Sequence, residues 1–72
     1  MIAVSDLEVD KHYVYRVYNR GKKRVQEYPV VFWGKDGESY IFNMLNVEGQ
    51  FRLTAEQVIE YIRNSGNVEE GI

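Results

Sequence analysis

From residue 12 to residue 53 the chain alternates short runs of aromatic and β-branched residues with polar, glycine-bearing breaks. Such runs suit the pleated, half-buried surface of a strand. The breaks suit tight turns. The pattern predicts a mainly β (α+β) domain: a small curled antiparallel sheet, or a closed barrel, of about four to five strands.

Residues 12–18 are the first expected strand, with Tyr13, Tyr15 and Val17 on one face and Val14, Arg16 and Tyr18 on the other. Residues 19–23, Asn-Arg-Gly-Lys-Lys, read as a hairpin connection in which Gly21 is able to take a positive φ. Residues 24–33 form a long second strand, Tyr28, Val30 and Phe32 facing away from Val25, Val31 and Trp33. Pro29 cannot donate to a ladder, so it is expected at an edge, bulge or bend. Gly34-Lys35-Asp36-Gly37 is read as a tight turn, residues 38–45 as the third strand, and residues 50–53 as a short fourth.

Two segments fit the pattern S/T-x-x-E/Q, in which a side chain caps a helix start and the third residue reaches back. Ser5 to Glu8 would open one short turn, and Thr54 to Gln57 a true helix. Behind Thr54, the residues Ala55, Val58, Ile59 and Ile62 recur at helical spacing. The helix is expected over residues 55–64, ending near Asn64-Ser65-Gly66, with residues 67–72 as a mobile tail after one domain spanning 1–66.

A chain of 72 residues buries only about 60% of the surface its unfolded form exposes. There is no cysteine and a single histidine, His12, so neither a disulfide nor a thiolate metal site can reinforce the core. Six Tyr, three Phe and one Trp must supply much of it. The lack of cysteine fits a reducing compartment, and the N-terminus has no signal-peptide pattern. No apolar run reaches the roughly 20 residues of a membrane span. A cytoplasmic chain that begins at its own Met1 and ends in a polar tail is the expectation, without a membrane partner.

The order and lengths of these elements resemble SH3-like or Sm-like small β-barrels. The segments that carry the resemblance are residues 7–18, Pro29 to Trp33 with the following Gly-Lys-Asp-Gly and Tyr40-Ile41-Phe42, and Phe51-Arg52-Leu53 leading into the capped helix. Residues 24–62 also resemble part of the WYL domain, through Gly37, Tyr40, Ile41, Phe51, Arg52 and Leu53. Ser39 and Glu56 depart from that pattern, and no flanking helix-turn-helix accompanies it. The WYL resemblance implies a small-ligand-sensing role.

No arrangement of residues suggests catalysis. His12 has no Ser or Thr placed beside it by a local motif, and Asp36 and Glu38 lack the rest of a calcium-loop series. The Gly34 to Gly37 segment lacks phosphate-loop spacing. The chain is expected not to be an enzyme and to need no cofactor or metal. Charge is the more informative feature. Residues 11–24 hold Lys11, Arg16, Arg20, Lys22, Lys23 and Arg24 with no acid, whereas acids dominate the remainder of a chain whose net charge is −2.

The candidate partner surface is therefore Arg16, Tyr18, Arg20, Lys22, Lys23 and Arg24 on the hairpin, together with Trp33, which ends its strand just before another turn and so equally fits a structural place at the opposite rim. Arg, Tyr and Trp are the types that most often anchor interfaces. The expected function is a protein-binding module for an acidic partner, of the kind that phage or mobile elements use to inhibit or redirect a host factor. The alternative is a small-barrel nucleic-acid-binding or regulatory protein, the cations meeting phosphates and Tyr13, Tyr15 or Tyr18 stacking on bases. The same charges also fit a solvated hairpin tip, and the helix stripe could face a second copy in a homodimer.

Overall fold

The computed structural model describes residues 2–65; the expected tail, 67–72, lies outside the described residues. Five antiparallel strands form one curled sheet: β1 (His12–Asn19), β2 (Arg24–Asp36), β3 (Ser39–Met44), β4 (Gln50–Leu53) and β5 (Ile62–Asn64). One helix, α1 (Ala55–Tyr61), separates the last two strands, and a 3-10 turn, Val4–Asp6, precedes the first. The strand order is β4-β3-β2-β1-β5. The edge strands β4 and β5 do not pair with each other, so the sheet is open and the closed barrel is not formed.

Alternation sends one set of side chains inward. Tyr13, Val30, Phe32, Phe42 and Leu53 form the core with Val58 of α1, Ile62 of β5 and Ile2 of the N-terminal segment. The helix packs across this inner face, touching β1, β3, β4, β5 and the 3-10 turn. Tyr13 shows how a polar tip is accommodated in so thin a core. Its ring is buried, while its hydroxyl accepts from the Glu8 amide at 2.9 Å and donates to the Asp6 carbonyl at 3.5 Å. The ring thereby ties the N-terminal segment to the sheet.

Several sequence expectations are corrected. The helix stops at Tyr61, and residues 62–64 turn into a strand that pairs with β1 through Ile62↔Tyr15, Val14↔Arg63 and Tyr13↔Asn64. Ile62 is as buried as the helical stripe required, but it reaches the core from extended backbone (φ −92°, ψ 134°). Gly34, Lys35 and Asp36 belong to β2 and not to a turn; the chain reverses at Gly37 and Glu38, with Gly37 at φ 61°. Gly34 follows a bulge at which the register shifts between Phe32 and Gly34, and its φ of 156° is one that side chains rarely adopt.

In the β1–β2 loop it is Lys23, not Gly21, that takes the positive φ, at 53°. The Ser5 segment forms its 3-10 turn without a side-chain cap. Pro29 lies within β2, opposite Val14, and its carbonyl accepts from the Leu45 amide on the β3 side. The Pro29–Val14 pair is thus one in which β1 asks for no amide proton, so the missing donor takes nothing from the β1–β2 ladder.

The helix start matches the sequence expectation. Thr54 Oγ1 accepts from the Gln57 amide at 3.2 Å, and Gln57 Oε1 accepts from the Thr54 amide at 2.9 Å. A helix of seven residues has little stability of its own. Thr54→Ala should therefore lower stability by about 1 kcal/mol, read as a lower melting temperature at unchanged far-UV signal. An unchanged melt would mean that the cap carries no weight.

Candidate binding surface on the β1–β2 hairpin

Strand β2 pairs with β1 from Arg24 to Val31, but with β3 only from Val30 onward. Strand β5 pairs with β1 only from Tyr13 to Tyr15. Residues 16–19 and 24–28 therefore project past the sheet as a two-stranded ribbon, closed by the loop at residues 20–23. Asn19 holds that loop. Its Oδ1 accepts from the Lys22 amide at 3.0 Å, and its Nδ2 donates to Gln26 Oε1 at 3.0 Å, which also accepts the Tyr28 hydroxyl at 3.1 Å.

The ribbon carries five cations, Arg16, Arg20, Lys22, Lys23 and Arg24, against one acid, Glu27. Five less one leaves +4 on residues 16–28, so the other residues of a chain of net charge −2 sum to −6. Arg16 faces Glu27 across the ribbon, Nε to Oε2 3.8 Å, an exposed pair of small energetic weight. Among the described residues no ion pair involves Arg20, Lys22, Lys23 or Arg24. Beside them, Tyr18 is 59% exposed and directly opposite Val25, 46% exposed, on the outer sheet face.

The structure brings six of the seven predicted site residues together and leaves one apart. Trp33, 53% exposed, stands at the bulge near the far end of β2. Eight residues separate it from Val25, which at about 3.3 Å per residue is on the order of 25 Å. Its neighbourhood on the outer face is that of Ile41, buried outside the main core cluster, opposite Gly34 and Arg52.

Sequence reasoning missed what lies beneath the ribbon. A groove of about 500 Å³ opens between hairpin and helix, its lining including Tyr15, Val17, Tyr18, Arg20, Glu60 and Tyr61. The Tyr15 ring sits 4.9 Å from Phe51, 5.8 Å edge-on to Tyr61 and 6.3 Å from Tyr28, centroid to centroid. Tyr61 neighbours the apolar helical stripe, so only its distance from Ile62 in sequence could have hinted at a place here. The remaining candidates stay apart. The His12 side chain is exposed and its carbonyl accepts from Ser65 Oγ at 2.9 Å. Asp36 pairs with Arg52 at 3.2 Å. No cluster of three or more His, Cys, Asp or Glu among the described residues could hold a metal ion. No helix among them is long and apolar enough to cross a membrane.

Burial pushes the Tyr15 phenol above its ordinary pKa, and the neighbouring Tyr61 and Tyr28 add to the shift. The folded chain thus holds this proton more tightly than the unfolded one. The resulting stability is fully present below the ordinary tyrosine value of about 10 and is lost as pH rises through the folded value. Tyr15→Phe, which cannot ionise, should show a shallower alkaline loss of melting temperature than wild type. Identical alkaline profiles would mean that the phenol titrates as if in water.

Comparison of the chain with protein-family models, with curated proteins and with solved structures gives no match, so the ribbon's role rests on its geometry and charge.

Proposed function

We propose that this chain is a non-enzymatic binding module whose cationic β1–β2 ribbon docks on an acidic surface of a protein partner. The observation that carries this reading is the +4 charge on residues 16–28, projecting beyond the sheet with four cations free of ion pairs among the described residues. A concentrated charge of one sign steers a complementary partner and raises the association rate. Tyr18 and Val25 then give the encounter an apolar contact beside the charge. In a domain this small the mode of action is to occupy or redirect something larger, as a phage or mobile-element accessory protein does to a host factor, in the cytoplasm. The resemblance to SH3-like barrels is supported by one long strand serving both halves of the sheet; it concerns the scaffold and leaves the function to the ribbon.

The test uses protein recovered from host lysate at low and high salt, with and without nuclease. A partner should survive nuclease and be weakened by salt. Arg16→Glu and Arg20→Glu, each folded by circular dichroism and thermal melt, should lose it. If both variants bind as wild type does, the ribbon is a solvated tip and the function lies elsewhere.

One observation favours a second reading. Tyr18 is an exposed ring among cations, the combination that binds single-stranded nucleic acid. The −6 on the other residues opposes it. Fluorescence anisotropy with a single-stranded oligonucleotide separates the two. We expect no saturable binding at about 50 mM salt; binding whose logarithm falls steeply with the logarithm of salt, and which Lys22→Glu with Lys23→Glu abolishes, would establish the nucleic-acid reading instead.

A further inference from the structure

We propose that the partner's contact segment is an extended, acidic stretch of chain that adds to the open edge of β2 at residues 24–28 as a new strand, which rests on the hairpin reading above and makes it specific.

The backbone of β2 fixes which groups are free. In an antiparallel ladder, alternate residues direct both their amide and their carbonyl to opposite sides of the strand. The Pro29 carbonyl accepts from the Leu45 amide, so residue 29 points toward the β3 side. On the opposite edge of β2 the Phe32 amide donates to the Lys11 carbonyl, so residue 32 points toward the β1 side. The β1–β2 register runs without irregularity from His12↔Val31 to Asn19↔Arg24. Stepping back from Pro29 by twos, Glu27 and Val25 also direct amide and carbonyl toward the β3 side. Strand β3 ends its pairing at Val30↔Met44, and no other described residue bonds these groups. The edge is open over residues 24–28, longer than either terminal strand of the sheet, β4 with four residues or β5 with three.

Charge decides the occupant. Glu27 is already paired with Arg16, so the field along this edge is that of Lys22, Lys23, Arg24 and Arg20. A second copy adding edge to edge would set two ribbons of +4 about 4.8 Å apart, well inside a Debye length, and is repelled. An acidic strand meets no such barrier. Its side chains on the outer face would lie beside Val25, where β-branched residues pack best, and its carboxylates near Arg24 and Lys23. Main-chain bonds to Val25 and Glu27 give the attachment, and the alternate side chains give the selection.

The probe is a synthetic peptide of alternating Glu and Val, labelled for anisotropy, and the same peptide N-methylated at alternate residues so that one edge cannot donate. The protein variant is Val25→Pro, which removes an amide proton that β1 does not use and leaves every charge in place. Wild type should bind the unmodified peptide. Val25→Pro and the N-methylated peptide should each weaken binding by about tenfold or more, and the Val25 and Glu27 amides should gain protection from exchange in the complex. If Val25→Pro is unfolded, the N-methylated peptide on wild type gives the same answer. Equal binding of both peptides overturns strand addition; the hairpin reading then survives if Lys23→Glu abolishes that binding. No binding of either peptide to folded wild type overturns strand addition too, and Arg16→Glu with Arg20→Glu on the recovered partner judges the hairpin separately. A wild-type dimer in solution with Val25 and Glu27 already protected likewise overturns it.

Discussion

Strand β2 has more hydrogen-bonding edge than its two neighbours cover together, and their cover is offset. Strand β1 takes its first part, to Val31, and β3 its last part, from Val30. The overlap at Val30 and Val31 is where the sheet is three strands wide around β2, and it adjoins Phe32 in the core. A strand paired on different sides along its length joins two ribbons, and the twist of each carries them apart. The bulge between Phe32 and Gly34 adds to that curl. The curl makes a concave inner face that one seven-residue helix and one N-terminal turn suffice to cover. Among the described residues, the offset also leaves the far half of the β1–β2 hairpin without a strand on either flank.

The core and the hairpin meet at Tyr15. Its backbone pairs with Tyr28 on one side and Ile62 on the other, and its ring touches Phe51, Tyr61 and Tyr28. Beyond it β5 no longer covers β1, and side chains pass from buried to half-exposed along the same inner face, from Tyr13 to Val17. A two-stranded hairpin is marginal in water by itself. This one is anchored at its base by aromatic packing and at its tip by the Asn19 side chain. The hairpin therefore has a well-packed base and a less supported end.

Local rules made much of this legible. Period-two alternation separated Tyr13 from Tyr18 on β1, and Val30 and Phe32 from Val25 and Trp33 on β2, and the structure buries the first set and exposes the second. The Thr54 cap was legible because a capping box is a local hydrogen-bond pattern. The failures share one cause. Ile62 satisfies both the helical stripe and a strand, and only its non-local pairing with Tyr15 decides. Gly34 carries a turn composition, yet Ile41 opposite it draws it into the ladder. Trp33 fits an interface by type, but its distance from the hairpin depends on how long β2 runs. The groove beneath the ribbon needed the helix position, which no local pattern supplies.

The cations on the ribbon have a physical consequence for the strand edge beside them, apart from the docking role proposed for them. An open strand edge is a template for any other edge, and natural sheets protect such edges with charge. Residues 24–28 include exposed Val25 and would be such a template if the tip were neutral. Arg20, Lys22, Lys23 and Arg24 placed there would repel cationic edges, the chain's own included, without closing the backbone groups. A closed edge would need another strand, a helix or a bulge, and among the described residues none of them lies beside residues 24–28 of the hairpin. Charge is thus the one form of protection that discriminates between partners: it rejects like sign and admits opposite sign. On the proposed reading, an edge guarded only by charge would both resist self-association and select an acidic strand, and the two roles would follow from the same residues.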